Sequence, residues 1–268
     1  MRFLQNAHPT LIVTDVYDSS QFTSLIAAGL AGYRADWAIG GLLTVAFALL
    51  AHRIRGVTTS GAIAGAISCF VLSLGGGLSA FVALITVFAL AWITTRLGYQ
   101  RKQMLGTAER RDGRKGSQVL ANLGVATACA AISLLGHNRP AFLLAMAAAL
   151  SEAAADTTSS EVGQSFGKTA RLVTTWSPVT PGTDGAVSLV GTLAGAVAAG
   201  LVTFVCILGG LLPRRWLPIC VISALLGMFL DSFLGAWLER RRLINNDLVN
   251  FLGTLIAAVA AFLLASIA

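Results

Sequence analysis

The sequence predicts an all-α fold, a polytopic membrane bundle of about eight transmembrane spans, and three observations carry that expectation. Hydrophobic residues make up 56% of the 268-residue chain and mean hydropathy is +0.76, too apolar for a surface that faces water. Several apolar runs approach the roughly 20 residues an α-helix needs to cross a bilayer. Basic residues also concentrate in every second gap between those runs, the pattern left by membrane topology.

Taken in order, the expected spans are 36–52, 57–74, 78–95, 118–136, 140–158, 185–210, 216–236 and 248–267. The run at 22–33, FTSLIAAGLAGY, is apolar but too short to span, and reads as an interfacial or re-entrant helix. Residues 1–35 are therefore an N-terminal segment, partly interfacial, and 36–268 a single transmembrane catalytic domain with no room for a separate soluble one. The N-terminus lacks the long apolar core of a cleavable leader, so none is expected to be removed. Gly61 with Gly65 and Gly191 with Gly195 place small residues one helical turn apart, which lets helix backbones approach closely.

Orientation follows from charge. The gaps at 53–55, 96–115, 168–171 and 240–242 carry fourteen Lys and Arg, against Arg139, Arg214 and Arg215 in the intervening gaps. The fourteen-residue side is expected to face the cytoplasm. The formal charge of +7 belongs to these loops and to anionic lipid rather than to nucleic acid. Cys69, Cys129, Cys206 and Cys220 stand singly in apolar runs, with no metal or disulfide spacing. His8, His52 and His137 are equally scattered, which excludes a zinc or haem enzyme by pattern.

Polar clusters all fall on the basic side. In SEAAADTTSSE, residues 151–161, Glu152, Asp156 and Ser160 share one helical face. Glu161 is turned off that face by roughly 140°, at ~100° per residue, and joins Asp156 only if the helix ends near Ser159 or Ser160. Carboxylates inside a membrane segment are expensive and mark function by default; Glu152, which also suits a solvated helix end, is expected to matter less. GQSFGKT, 163–169, has one residue too few for a P-loop and follows a helix, so that motif is rejected. Its glycines with Lys168 and Thr169 can still hold phosphate, or form a plain polar loop. PGTDG, 181–185, offers Thr183 or Asp184 as a helix N-cap, or Asp184 as a cation ligand beside a bound anion. Asp231, apolar on both sides in GMFLDSFLGAW, should face the bundle interior. Asn246 and Asn250 share a face at the start of the last span, suited to phosphate or to capping. In the basic loop at 96–115, Arg114 and Lys115 lie just before Asn122 and suit a polyphosphate.

Four stretches carry a resemblance: LANLGVATACA, ADTTSSEVG, RLVTTWSPVTPGTDGAVSLVGTLAG, and LDSFLGAWLERR followed by NNDLVNFLGT. They resemble the integral membrane family that includes phytyl-phosphate kinase and transmembrane protein nineteen, from about Arg55 to the C-terminus. The spacing of Asp156, Gly163, Phe166, Gly167 and Lys168 is also similar to that in CTP-dependent phytol and dolichol kinases. Leu123 departs from the family pattern, which has a second glycine after Asn122.

The resemblance implies phosphorylation of an isoprenyl monophosphate to its diphosphate by a nucleoside triphosphate, CTP or else ATP. Phosphoryl transfer asks the protein mainly for positioning and charge neutralisation. Asp156, Glu161 and Asp231 are then the catalytic candidates, and Asp156, Glu161, Asp184 and Asp231 the ligands of Mg²⁺. Arg114, Lys115, Asn122, Lys168, Arg171, Thr183, Ser188, Asn246 and Asn250 are the candidate substrate- and nucleotide-binding set. The expected partners are an isoprenoid lipid, a nucleoside triphosphate and the bilayer; a homo-oligomer stays open. Two alternatives also stand: a lipid-alcohol kinase, in which a carboxylate accepts a hydroxyl proton, and a transporter of a phosphorylated or cationic solute.

Overall fold

In hydrocarbon a backbone amide has no water to bond, so apolar runs long enough to cross must close their hydrogen bonds within a helix. A computed structural model describes residues 37–136, 138–265 and 267. Its helices are α1 (Trp37–Arg53), α2 (Thr59–Arg96), α3 (Tyr99–Leu105), α4 (Gly116–Ser133), α5 (Arg139–Phe166), α6 (Leu189–Leu208), α7 (Leu217–Leu234) and α8 (Asn246–Ala265). The expected N-terminal segment 1–35, with its helix at 22–33, lies outside the described residues, as do His8 and His137.

Gly77 divides α2 into two arms. Its backbone, at φ 64° and ψ −158°, is a conformation that favours glycine, and the chain reverses there. Arg96, at the far end of the second arm, donates to the Ile54 carbonyl at 3.0 Å, just before the first arm starts. The two expected spans 57–74 and 78–95 are thus one helical hairpin. With α1 and α4–α8, the chain forms about eight membrane-crossing segments.

Helix α5 occupies the middle of the bundle, in contact with α2, α4, α6, α7 and α8. Every residue from 144 to 155 is buried, and seven of these twelve are alanine. So small a surface lets neighbours close on all sides. The α5–α6 crossing confirms the close approach expected of Gly191 and Gly195: a Cβ on Gly191 would lie 2.5 Å from the Ser159 carbonyl, and one on Gly195 2.9 Å from the Ala155 carbonyl. Among the described residues, five other helices are long and apolar enough to span; α5 carries the acids instead and is shielded by them. On the outside, Leu189, Leu193, Val197 and Leu201 line one exposed face of α6, as a lipid-facing helix requires.

The basic loops gather at one end. Hydrogen bonds tie 54 to 96, 56–58 to 114, and 101 to 165–167, while Arg139 meets the hairpin turn at Gly75 at the opposite end. Two details depart from expectation. Helix α5 runs on through Phe166 rather than ending near Ser159 or Ser160, and Gly167 caps it. Between α5 and α6 lies a small antiparallel sheet, order β2-β1-β3, from β1 (Ala170–Leu172), β2 (Pro178–Val179) and β3 (Ala186–Val187). Helix α6 consequently starts at Leu189, four residues later than the span boundary suggested. Its N-cap is Ser188, whose Oγ accepts from the Gly191 amide at 3.1 Å, and not Thr183 or Asp184. All four cysteines are buried free thiols.

A Cβ at Gly77 would meet nothing within 4 Å, so substitution there is penalised by backbone strain alone. Gly77→Ala should lower stability by about 1–3 kcal/mol, read as thermal melting in detergent. Gly200→Ala, mid-helix and equally unobstructed, should instead stabilise by about 0.5–1 kcal/mol.

Candidate functional site

A polar cavity of about 280 Å³ opens at the basic end of the bundle, lined by α4, α5, the 181–188 loop, α7 and α8. Each wall has a local cause. On α5, Asp156, Ser160 and Gln164 recur every fourth residue and present one polar face, as the sequence spacing required. At the end of α7, a turn of π-helix spans Gly235–Glu239. Such bulges turn side chains away from the regular helical positions and occur often at functional sites. Here Asp231, Ser232, Gly235 and Glu239 all line the cavity.

The PGTDG loop is pressed against that π turn. Gly185 has φ +74°, and a Cβ on it would lie 2.4–2.6 Å from Ala236, so only glycine fits. Asp184 and Thr183 are thereby held at the cavity, with the Thr183 hydroxyl donating to the Thr180 carbonyl at 2.8 Å. Arg114, which lines the same cavity, is fixed by its backbone. Its amide donates to the Gly56 carbonyl at 3.1 Å and its carbonyl accepts from the Thr58 amide at 3.0 Å. The guanidinium reaches the Thr157 hydroxyl at 3.5 Å. Asn122 lies two turns along α4, donating to the Gln118 carbonyl at 2.8 Å.

Of the residues singled out in the sequence, Arg114, Asn122, Asp156, Glu161, Thr183, Asp184, Ser188, Asp231, Asn246 and Asn250 line this one cavity. Lys115, Lys168 and Arg171 do not. Lys115 and Lys168 are exposed beyond the lining, and the exposed Arg171 spends its guanidinium on the Trp176 carbonyl at 2.7 Å. Its place on β1 turns alternate side chains outward, with Ala170 and Leu172 buried on either side. Glu109, Gln118, Gln164 and Glu239 line the cavity unforeseen. Gln118 and Gln164 had a readable signal, since each continues a four-residue series; Glu109, hidden in a basic loop, had none.

Glu161 borders the cavity with its carboxylate already paired. Because α5 continues as a helix, its carboxylate turns toward α3 and pairs with Lys102 at 2.5 Å, while Thr95 Oγ1 donates to it at 3.1 Å. The Lys102 ammonium is fully buried and also donates to the carbonyls of Thr94 and Thr95 at 3.1 and 2.7 Å. Glu152 is no solvated helix end either: at 1% exposure it lies between α7 and α8. A Cβ on Gly253 would sit 2.6 Å from Glu152 Oε1 and 3.3 Å from Asp231 Oδ2, so both acids abut that glycine. Glu152 Oε1 and Asp231 Oδ2 are buried without a hydrogen-bond partner. Outside the membrane, Arg110 grips Asp112 at 3.0 and 3.1 Å and holds its carboxyl below the usual range. Among the described residues, no three Asp, Glu, His or Cys side chains converge closely enough to hold a metal ion by themselves.

The family model described as "Integral membrane protein DUF92" matches residues 42–258. This chain belongs to that family. The DUF92 match takes in every wall of the polar cavity. Among curated relatives, "Protein VTE6, chloroplastic" of Arabidopsis thaliana is 31% identical over 197 residues, covering 70% of this chain and 59% of its own. "Uncharacterized membrane protein sll0875" of Synechocystis is 34% identical, covering 69% of this chain and 73% of its own. "Uncharacterized membrane protein MJ0933" of Methanocaldococcus jannaschii is 30% identical over 83% of this chain and 92% of its own. The chain thus spans somewhat over half the length of the plant relative and nearly all of the archaeal one. No solved structure matches. This DUF92 chain is a multi-pass membrane protein.

Lys102→Met would leave Glu161 without its cation and should cost about 3–5 kcal/mol, as unpairing a buried ion pair does. Lys102→Met/Glu161→Gln should recover much of it. Both are read as melting temperature in detergent, and a single variant as stable as wild type would refute a structural role for the pair.

Proposed function

We propose that this protein is a membrane-embedded kinase that transfers a phosphoryl group from a nucleoside triphosphate, CTP in preference to ATP, to an isoprenyl monophosphate, giving the diphosphate. The observation that carries the reading is that Arg114 and Asn122 line one polar cavity together with Asp156, Asp184 and Asp231. Cations and carboxylates around one opening, at the edge of a membrane bundle, suit a reaction between a soluble polyphosphate and a lipid phosphate. The family resemblance narrows the acceptor to an isoprenoid. The fourteen basic residues at that end support a cavity facing the cytoplasm.

The donor set fits a magnesium ion. It is made of hard oxygen ligands, and Asp231 Oδ2 is a buried acceptor without a protein partner. Magnesium is commonly held by one or two carboxylates together with substrate phosphates, so a closed three-acid cluster, of which there is none among the described residues, is not required. Asp156 and Asp231 would hold it, with Asp184 beside them; Glu161, paired to Lys102, serves to fix α5 against α3. Bound there, the ion would neutralise charge on the donor's phosphates.

The chain's own residues do the rest. The Arg114 guanidinium orients the acceptor phosphate, whose oxygen attacks the terminal phosphorus of the donor. A new O–P bond forms as the β,γ-bridging bond breaks, and the nucleoside diphosphate leaves with that electron pair. An ionised phosphate acceptor has no proton to surrender, so no general base is needed. Asn246 and Asn250, from α8, and Thr183, from the loop, supply neutral polar contacts to the phosphates. Gathering of the polar groups at one end, rather than at the membrane midplane, weighs against a transporter.

The test is purified protein with labelled CTP or ATP, Mg²⁺ and a panel of isoprenoid alcohols and monophosphates, followed by product identification. Asp156→Asn and Asp231→Asn should each reduce turnover by roughly 10²-fold or more, on the scale of a lost charge-stabilising group, with the variants still folded in detergent. Wild-type turnover in both variants would defeat the assignment.

A further inference from the structure

A second cavity, about 460 Å³ and largely apolar, lies between α1, the hairpin arms of α2, and α4. Phe47, Leu84, Val87, Phe88 and Trp92 form much of its wall. Phe47 meets Phe88 edge to face at 5.2 Å. This chamber shares Glu109, Arg114, Gln118 and Asn122 with the polar cavity. Gln118 and Asn122 stand one turn apart on α4 and Arg114 lies just before the helix starts, so the entry to α4 is a common wall. One side of it is polar and carboxylate-lined, the other apolar.

We propose that this chamber binds the hydrocarbon chain of the acceptor, an isoprenoid of a few units, with its phosphate at Arg114 where the two cavities meet. The assignment rests on the kinase reading and adds where the lipid lies and how long it is. Three observations support it. The chamber is apolar, while arginines 55, 96, 110, 111 and 114 also line it, so an anionic head with a hydrocarbon tail complements it in both charge and polarity. Most of those arginines are locally engaged. Arg96 lies 4.0 Å over the Trp92 ring, Arg111 stacks on Tyr99, and Arg110 pairs with Asp112. Arg114, pinned by its backbone, is left at the junction itself. The volume falls within the range of about 300–1,000 Å³ typical of pockets that enclose a small ligand. A tail of dolichol length would leave most of itself outside.

Gly65 gives the means to test it. Gly61, its partner in the sequence pattern, is packed shut, since a Cβ there would lie 2.4 Å from the Arg114 carbonyl. At Gly65 a Cβ would meet nothing nearer than Val119 Cγ1 at 3.9 Å, and the residue lines the chamber. A side chain added there grows into the space the tail would fill.

The primary experiment labels wild-type protein, without nucleotide, using a diazirine-bearing geranyl monophosphate, and maps adducts by peptide mass spectrometry. Adducts are expected within 47–51, 84–92 or 119–123, competed by a twenty-carbon isoprenyl monophosphate and not by an equal concentration of diacyl phospholipid. Adducts confined to the outer lipid-facing surface, or displaced equally by phospholipid, would overturn the proposal. In turnover, Gly65→Leu should lower the ratio of kcat/KM for the twenty-carbon over the five-carbon monophosphate by about tenfold or more, the scale of steric discrimination in an apolar pocket. An unchanged ratio in a folded, active variant would also overturn it. Chamber labelling without phosphoryl transfer to any isoprenyl monophosphate would sink the kinase reading and leave the chamber standing; transfer without chamber labelling would do the reverse.

Discussion

Carboxylates can be placed inside a membrane bundle only if other helices take over the contact with lipid. Helix α5 meets that condition because its buried middle is mostly alanine, in the runs 147–149 and 153–155. A surface with so little relief allows α2, α4, α6, α7 and α8 to close around it, and the last two turns of the enclosed helix are then free to be polar. Had those positions been leucine, neighbouring backbones would stand farther off and the acids would meet hydrocarbon. The position of Asp156 therefore follows from the packing of residues 144–155 below it, and Asp231 faces the same space because α7 crosses that helix.

A second layer of constraint holds the rim. The loops at the basic end are fixed by bonds to main-chain atoms more than by pairs of side chains. Arg101 reaches the carbonyls of Ser165 and Gly167 at 3.1 and 2.6 Å and closes the C-terminus of α5, where a cation also complements the helix dipole. Lys102 is held by two carbonyls besides Glu161. Arg114 is set in register by the pairing of 56–58 with 114. Main-chain anchors of this kind leave little rotational freedom in the elements that face the cavity, which is what a reaction dependent on positioning requires. The buried pair of Lys102 and Glu161 is better understood as fixing the α3–α5 junction than as adding net stability, since desolvation offsets much of the attraction.

The spans and the four-residue recurrence of polar groups on α5 could be read from sequence because each is a periodic signal. The hairpin at Gly77 had its two spans read correctly, since the glycine cluster interrupts one apolar run. Other features were hidden for physical reasons. Strands of two or three residues have no period to detect. Lys102 sits in a run of basic residues whose obvious meaning is topological, and only the fold shows it buried while its neighbours meet solvent. Glu161 looked like a partner of Asp156 because both belong to one acidic cluster; on a helix that continues to Phe166 it still borders the same cavity, but its carboxylate is paired with Lys102. Lys168 and Arg171 were drawn in by charge and proximity in sequence, yet they follow the end of α5, where the chain leaves the cavity for the small sheet. Lys115 shows the same limit on a finer scale, since one step along the extended segment that leads into α4 turns a side chain from the shared wall at Arg114 to solvent.

The two cavities and their shared wall suggest why such a reaction would be run within a bundle at all. A lipid phosphate has parts that belong to different solvents, and a site exposed to water would have to draw the chain out of the bilayer before chemistry could begin. In the proposed reaction, with the chamber on one side of Arg114, Gln118 and Asn122 and the acidic cavity on the other, the head would reach the nucleotide while the tail stayed in apolar surroundings. The extraction cost is then avoided, and binding energy from the tail can serve to orient the head. In that proposal the same wall would limit the acceptor: length would be measured from Arg114 inward, so residues lining the chamber, far from any transferred phosphorus, would set which lipid reacts.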